Sequence, residues 1–210
     1  MPLIKEEVML LDVFRKNLLK PLTFNDIMVL AKKESKTWVY NSLKKFVELG
    51  FLEKIKVNNS YLYKANLRSH GLIKFFDPLD FGDINTTKWP KDIYELLNEI
   101  RRSISNITPF FILLVFGSHA DYTQKKGSDL DIAVIIDKEN IKIKPYIEKV
   151  ARKEIITIDY HIIEKGEFKE MLLREEENLG KDIYRKHLIN WGGNAYYELI
   201  REAGENGFTG

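Results

Sequence analysis

The 210 residues, 44% hydrophobic and 30% charged with a net charge of +2, describe a soluble globular chain long enough for one medium domain or two small ones. The longest apolar run, residues 110–116, falls far short of the roughly 18 residues of a membrane span, and no signal-peptide pattern opens the chain. With no Cys and only 4 His, disulfide frameworks and zinc-type spacings are excluded, and a reducing cytoplasm is the expected setting.

The charge is uneven along the chain. Residues 1–70 hold 13 Lys and Arg against 7 Asp and Glu, a net of +6, whereas residues 71–210 hold 20 against 24, a net of −4. Such a split predicts two modules with different partners. In the basic module a first helix is expected over 4–17, with Val8, Leu11 and Leu18 near one face. A second starts at Thr23, which with Asp26 forms a capping-box-like start. A third covers about 35–49 and stops at Gly50, with Val39, Leu43, Phe46 and Val47 inward and Lys36, Thr37, Tyr40, Asn41, Lys44 and Lys45 outward. Residues 51–57 and 61–65 read as two strands joined by a tight turn at Asn58-Asn59-Ser60.

This order of three helices and a hairpin resembles a winged helix-turn-helix of the archaeal, MarR-like type. The likeness is carried by Ser35-Lys36-Thr37-Trp38-Val39-Tyr40-Asn41-Ser42-Leu43-Lys44-Lys45-Phe46 and by Leu49-Gly50-Phe51-Leu52-Glu53-Lys54. It implies a third helix that enters the DNA major groove through Lys36, Thr37, Tyr40, Asn41, Lys44 and Lys45. It also implies a wing whose Lys54, Lys56 and Lys64 lie along phosphates. Modules of this shape also dimerise or dock other proteins, so a homodimer stays open beside DNA.

Residues 66–90, with Gly71, Pro78, Gly82 and Pro90, mark the junction between the modules. They also carry Leu72, Ile73, Phe75, Phe76, Leu79 and Phe81, so a packed segment is expected and not a free linker.

The densest signal follows. Phe116-Gly117-Ser118-His119-Ala120 reads as a strand end running into a loop, and Ser128-Asp129-Leu130-Asp131 leads into the apolar, β-branched run 132–136. Asp is disfavoured in such a strand, and Asp129 and Asp131 project from one face of it. Two like charges about 4 Å apart repel by about 4 kcal/mol at an effective dielectric near 20, and a divalent cation between them reverses that sign. A metal site is the simplest account. Residues 155–163 form a third apolar run with Asp159 at its middle.

Gly-Ser, ten residues and Asp-x-Asp, with a later Asp-bearing strand, resembles the DNA polymerase β-like nucleotidyltransferases, most closely their minimal prokaryotic branch. The likeness covers roughly residues 90–200. It implies Asp129, Asp131 and Asp159 as catalytic residues and as ligands of Mg²⁺ or Mn²⁺, and ATP or another NTP as substrate. It further implies that Gly117 and Ser118 cradle the triphosphate. Two departures stand out: the family commonly carries Arg after Gly-Ser and an Arg-Gly pair beyond the Ala, where this chain has His119 and Asp121-Tyr122. Lys125 and Lys126, in the loop 123–127, are the residues expected to restore positive charge. His161 shares a strand face with Asp159, and a structural role is the plainer reading for it and for His119. Residues 167–203 are expected to be helical, with Tyr184, Trp191, Tyr196 and Tyr197 as core or subunit contacts, and 205–210 as a frayed end.

The expected fold class is α+β (α/β). It comprises a winged helix-turn-helix domain (1–68), a packed junction (69–90) and a nucleotidyltransferase domain with a mixed sheet and flanking helices (91–204). The implied function is transfer of an NMP, AMP from ATP first among them, to a protein, RNA or small-molecule acceptor. The family likeness also makes a separately encoded HEPN-type toxin an expected acceptor, with this chain as its antitoxin and double-stranded DNA as a further partner. The alternative is a DNA-binding regulator that uses the transferase fold as a nucleotide sensor or assembly platform.

Overall fold

The computed structural model describes residues 3–85, 91–152 and 156–210. The protein is α+β, with helices around two separate sheets. It divides into two compact units, Met1–Leu79 with Thr209–Gly210, and Asp80–Phe208.

The first unit begins with α1 (Lys5–Arg15), whose buried face is Leu10, Leu11 and Phe14, while Val8 is only half-buried. After β1 (Leu22–Thr23) comes α2 (Phe24–Leu30), opened by the expected capping box: the Asp26 amide donates to Thr23 Oγ1 at 3.1 Å and the Thr23 amide to Asp26 Oδ2 at 2.9 Å. α3 (Lys36–Glu48) is N-capped by Ser35 and followed by Gly50 at φ +70°. Its Val39, Leu43 and Phe46 are fully buried. β2 (Leu52–Val57) and β3 (Ser60–Ala65) pair through a two-residue turn in which Asn58 is left-handed. β1 adds to the other edge of β3, giving the order β1-β3-β2. That third strand is too short to carry a two-residue period.

Where the sequence suggested a junction, the chain forms α4 (His70–Asn85), a helix that continues through Pro78 and Gly82. Leu72, Ile73 and Phe76 are buried, and Phe75 meets Phe51 with ring centroids 5.5 Å apart. Residues 86–90, Pro90 among them, and the Phe81 side chain lie outside the described residues.

In the second unit α5 (Lys91–Ser105) precedes β4 (Phe111–Phe116), the single-turn α6 (Gly117–Ala120) and β5 (Leu130–Ile136). α7 (Ile143–Ala151) then leads to β6 (Ile158–Glu164), α8 (Lys165–Leu173), α9 (Leu179–Arg185), β7 (His187–Trp191) and α10 (Gly193–Glu205). The sheet order is β6-β5-β4-β7, with β5 and β6 parallel and the other pairs antiparallel. One face buries Leu113, Val115, Leu130, Ile132 and Val134 beneath Leu96, Leu97 and Ile100 of α5 and Ile143 and Ile147 of α7. Alternation turns Ile112, Leu114, Phe116 and Ala133 to the opposite face.

The C-terminal third departs from the helical expectation. His187-Leu188-Ile189-Asn190-Trp191 is an edge strand, whose Leu188, Ile189 and Asn190 are all buried so that no alternation shows. Tyr196 and Tyr197 are core, as expected, whereas Trp191 is 42% exposed and stacks on Phe111. The end is also better held than a frayed tail: the Phe208 amide donates to the Ala203 carbonyl at 3.0 Å, and the Phe208 ring meets Tyr184 edge-on at 4.8 Å.

Candidate active site

Parallel pairing of β5 and β6 places Asp131 directly opposite Asp159. Both side chains therefore leave the same face of the sheet, on backbones about 4.8 Å apart. Asp129 lies two residues before Asp131, just outside β5, and is exposed. Burial raises the Asp131 pKa, and the neighbouring Asp159 and Asp129 push it the same way against His119 and His161. The Asp159 side chain is 60% exposed, and its Oδ2 lies 3.7 Å from His161 Nε2. The His161 ring in turn packs near Phe116 at 5.8 Å, so Asp159, His161 and the end of β4 share one side of the sheet. Residues 153–155, including the first residue of the expected third strand, lie outside the described residues; β6 starts at Ile158, which puts Asp159 at its entrance.

Gly117 turns the chain from β4 into α6 at φ +66°, a conformation L side chains rarely adopt. A Cβ there would collide with the Asp131 carboxylate and stand 3.1 Å from its Cγ. The sequence marks this glycine as an expected phosphate-cradle residue; what the structure shows is that the bare Cα makes room for Asp131. Ser118 follows, half-buried, and its carbonyl accepts from the Thr123 amide at 3.0 Å. His119 is 3% exposed and donates to the Asp129 carbonyl, tying α6 to the entrance of β5. Its burial lowers the imidazole pKa in spite of Asp131 and the Asp129 carbonyl. The structural reading of His119 fits this placement.

The acidic residue at the second departure does not face the turn unopposed. Asp121 accepts from Lys186 Nζ at 2.8 Å through Oδ2 and from the Thr123 amide at 3.2 Å through Oδ1, and these contacts lower its pKa, Lys186 foremost. Lys186 escaped the sequence reading because it lies 65 residues from its partner. Lys125 and Lys126 are exposed on a turn closed by the Ser128 hydroxyl, which accepts from the Lys125 amide at 2.9 Å.

The donor set of Asp131, Asp159 and Asp129 is all carboxylate, which suits a hard divalent cation; burial foremost, and then the neighbouring carboxylates, raise the Asp131 pKa, and a bound cation would offset both. Among the described residues, no three His, Asp or Glu side chains are already gathered closely enough to hold a metal ion. The carboxylates are brought together as a facing pair and a flanking third, not as a closed cage.

In the first unit, Lys36, Thr37, Tyr40, Asn41 and Lys44 are exposed along α3. Two of the residues expected at DNA are placed differently from the rest. Lys45 is turned toward α1, its Nζ 2.7 and 3.0 Å from the Glu7 carboxylate oxygens, with only 18% of its side chain exposed. Lys64 pairs with Glu53, whereas Lys56 pairs with Tyr61 and Lys54 with Tyr63, so alternation puts Lys64 on the other face of the hairpin from Lys54 and Lys56. Lys54 lies over the Tyr61 ring at 3.9 Å. Burial, then Tyr40 and Tyr61, raise the Tyr63 pKa, so this face of the hairpin looks toward α3.

Residues 98–187 match the model of the family described as Polymerase beta, Nucleotidyltransferase. The match spans Gly117, Ser118 and all three aspartates, and it supports a nucleotidyltransferase fold for this part of the second unit. No curated protein and no solved structure matches the chain. Among the described residues no helix is long and apolar enough to cross a membrane.

Proposed function

We propose that the second unit is a metal-dependent nucleotidyltransferase that moves an NMP, AMP from ATP in the first instance, onto an acceptor hydroxyl. The observation that carries this reading is the register pair Asp131 and Asp159, set beside a glycine turn whose missing Cβ leaves room for the Asp131 carboxylate. Asp131, Asp159 and Asp129 would hold Mg²⁺ or Mn²⁺. The chemistry a bound ion supplies is to offset the negative charge that gathers on the transferring phosphoryl group. Asp159, the more open of the facing pair, would take the proton of the attacking hydroxyl, with His161 Nε2 3.7 Å from its carboxylate. Gly117 and Ser118 present backbone and hydroxyl to the triphosphate. The family likeness supports a separately encoded HEPN-type toxin as the acceptor, with RNA and small molecules as the competing classes.

The first unit is proposed to bind duplex DNA as a winged helix, through Lys36, Thr37, Tyr40, Asn41 and Lys44 of α3 and Lys54 and Lys56 of the hairpin. Their support is exposure together with the hairpin face that looks toward α3.

Incubation with labelled ATP, Mg²⁺ and a lysate of the source cell tests the enzyme reading. Label should enter one acceptor class, and Asp129→Asn with Asp131→Asn should abolish it while the fold is kept. Transfer that persists in the double variant refutes the assignment. One observation favours the regulator as a second reading: Lys36, Thr37, Tyr40, Asn41 and Lys44 lie exposed along one helix of the first unit. Selective DNA binding with ATP-dependent affinity and no transfer to any acceptor would establish it.

A further inference from the structure

The antiparallel register of β4 and β7 pairs Phe116 with His187, so the residue before His187 emerges beside the Gly117–Ser118 turn. That residue is Lys186, which caps the end of α9. Its backbone is fixed, since its amide donates to the Asp182 carbonyl at 3.1 Å and the next residue, His187, sets Nδ1 2.9 Å from the Ile183 carbonyl. Its side chain crosses to Asp121, with Nζ 2.8 Å from Oδ2, although 61% of the side chain stays exposed. Asp121 is one helical turn beyond Gly117, and its other oxygen is taken up by Thr123. The cation is therefore anchored at its base, aimed by a carboxylate and still open to solvent, next to the turn assigned to the phosphates.

We propose that Lys186 is a nucleotide-binding residue, held ready by Asp121 and engaging the phosphates of the bound triphosphate. The proposal rests on the nucleotidyltransferase reading above. An exposed lysine on the 125–128 turn, without an ion pair among the described residues, must be ordered when an anion binds, whereas Lys186 is already aimed, so less side-chain entropy is lost on contact. Asp121 then acts as a positioning residue, and its negative charge lowers the net attraction that Lys186 offers. Removing the lysine should thus weaken nucleotide binding, whereas removing its holder should not.

The experiment measures dissociation constants for ATP with Mg²⁺, for inorganic tripolyphosphate and for AMP, on wild type, Lys186→Met, Lys186→Arg, Asp121→Asn and Lys125→Ala with Lys126→Ala. Lys186→Met should weaken ATP and tripolyphosphate by a common factor of about tenfold or more, the scale of one charge-assisted hydrogen bond, and leave AMP nearly unchanged. Lys186→Arg should retain most of the affinity. Asp121→Asn should leave tripolyphosphate binding equal or tighter, and the pair of loop substitutions should cost less than Lys186→Met. Equal weakening by Lys186→Met and Asp121→Asn, or weakening of AMP as much as tripolyphosphate, would show a merely structural ion pair and overturn the proposal. A wild type that binds ATP while Lys186→Met binds it equally well overturns this proposal alone. A wild type that binds no triphosphate overturns the nucleotidyltransferase reading with it.

Discussion

Gly117→Ala offers a quantitative test of the site's geometry that needs no knowledge of the substrate. At φ +66° an L side chain costs about 1–2 kcal/mol for conformation alone. The added methyl also displaces the Asp131 carboxylate, whose Cγ stands 3.1 Å from the ideal Cβ position, and forcing that side chain off its rotamer costs about 1 kcal/mol more. Gly127 is the matched control in the same unit: φ is +87° and nothing lies within 4 Å of its ideal Cβ. Gly117→Ala should therefore destabilise the second unit by about 2–3 kcal/mol and Gly127→Ala by about 1–2 kcal/mol. In an Asp131→Ala background the excess should vanish, a coupling of about 1 kcal/mol against an additivity error of roughly 0.3–0.5 kcal/mol. Because the chain divides into two units, the readout is native-state hydrogen exchange of the β4 and β5 amides, which reports the second unit alone. Equal costs for the two glycines, or strict additivity with Asp131→Ala, would refute the argument that Asp131 occupies the space the glycine leaves.

Three further outcomes follow from the same structure. Asp131→Asn, measured without divalent cations, should stabilise the second unit at neutral pH. The raised carboxyl pKa means the ionised form is the disfavoured one in the folded state, and the gain should disappear as pH falls below the ordinary 3.8, where the wild-type group is protonated in folded and unfolded states alike. Lys45→Met should cost the first unit about 2 kcal/mol by stranding Glu7, far more than the exposed Lys36→Ala. Burial opposes ionisation of Glu7, but Lys45 and the Ile4 amide outweigh it and lower its pKa, so the deficit should close as pH falls below 4.5 in acid-unfolding curves. For DNA, Lys36→Ala with Lys44→Ala should flatten the dependence of log affinity on log salt by about two units, whereas Lys64→Ala should leave it almost unchanged; fluorescence anisotropy against salt decides.

The parts of the fold that were legible in the sequence are those with a strong local cause. The capping box at Thr23 and Asp26, the α3 face of Val39, Leu43 and Phe46, and the hairpin at Asn58 are dictated by residues within a few positions of one another. Asp131 was legible because a carboxylate inside an apolar strand conflicts with its surroundings. What escaped depended on distant partners. α4 contains Pro78 and Gly82, both turn-like locally, and a buried stripe of Leu72, Ile73 and Phe76 outweighs them. β7 has no alternation to betray it, since its central residues are all buried. Lys45 shares its sequence character with Lys44, and only Glu7, 38 residues away, separates a structural cation from a surface one.

The same logic explains why the two departures from the family motif form one feature. With His119 buried and donating to the Asp129 carbonyl, the turn after β4 is anchored from within and presents no cation of its own. An acidic residue at position 121 would then repel any phosphate drawn to Gly117, unless a positive charge reached it from elsewhere in the sheet. Lys186, the residue before β7, supplies that charge, because pairing Phe116 with His187 fixes it where its ammonium meets Asp121 at 2.8 Å. Substituting Asp121 by Arg while keeping Lys186 would therefore not simply restore the family pattern: it would place two cations together with no carboxylate between them. That variant should bind triphosphate more tightly at low salt, release the 121–123 turn from its Thr123 contacts, and lose the tightening as salt screens the added charge.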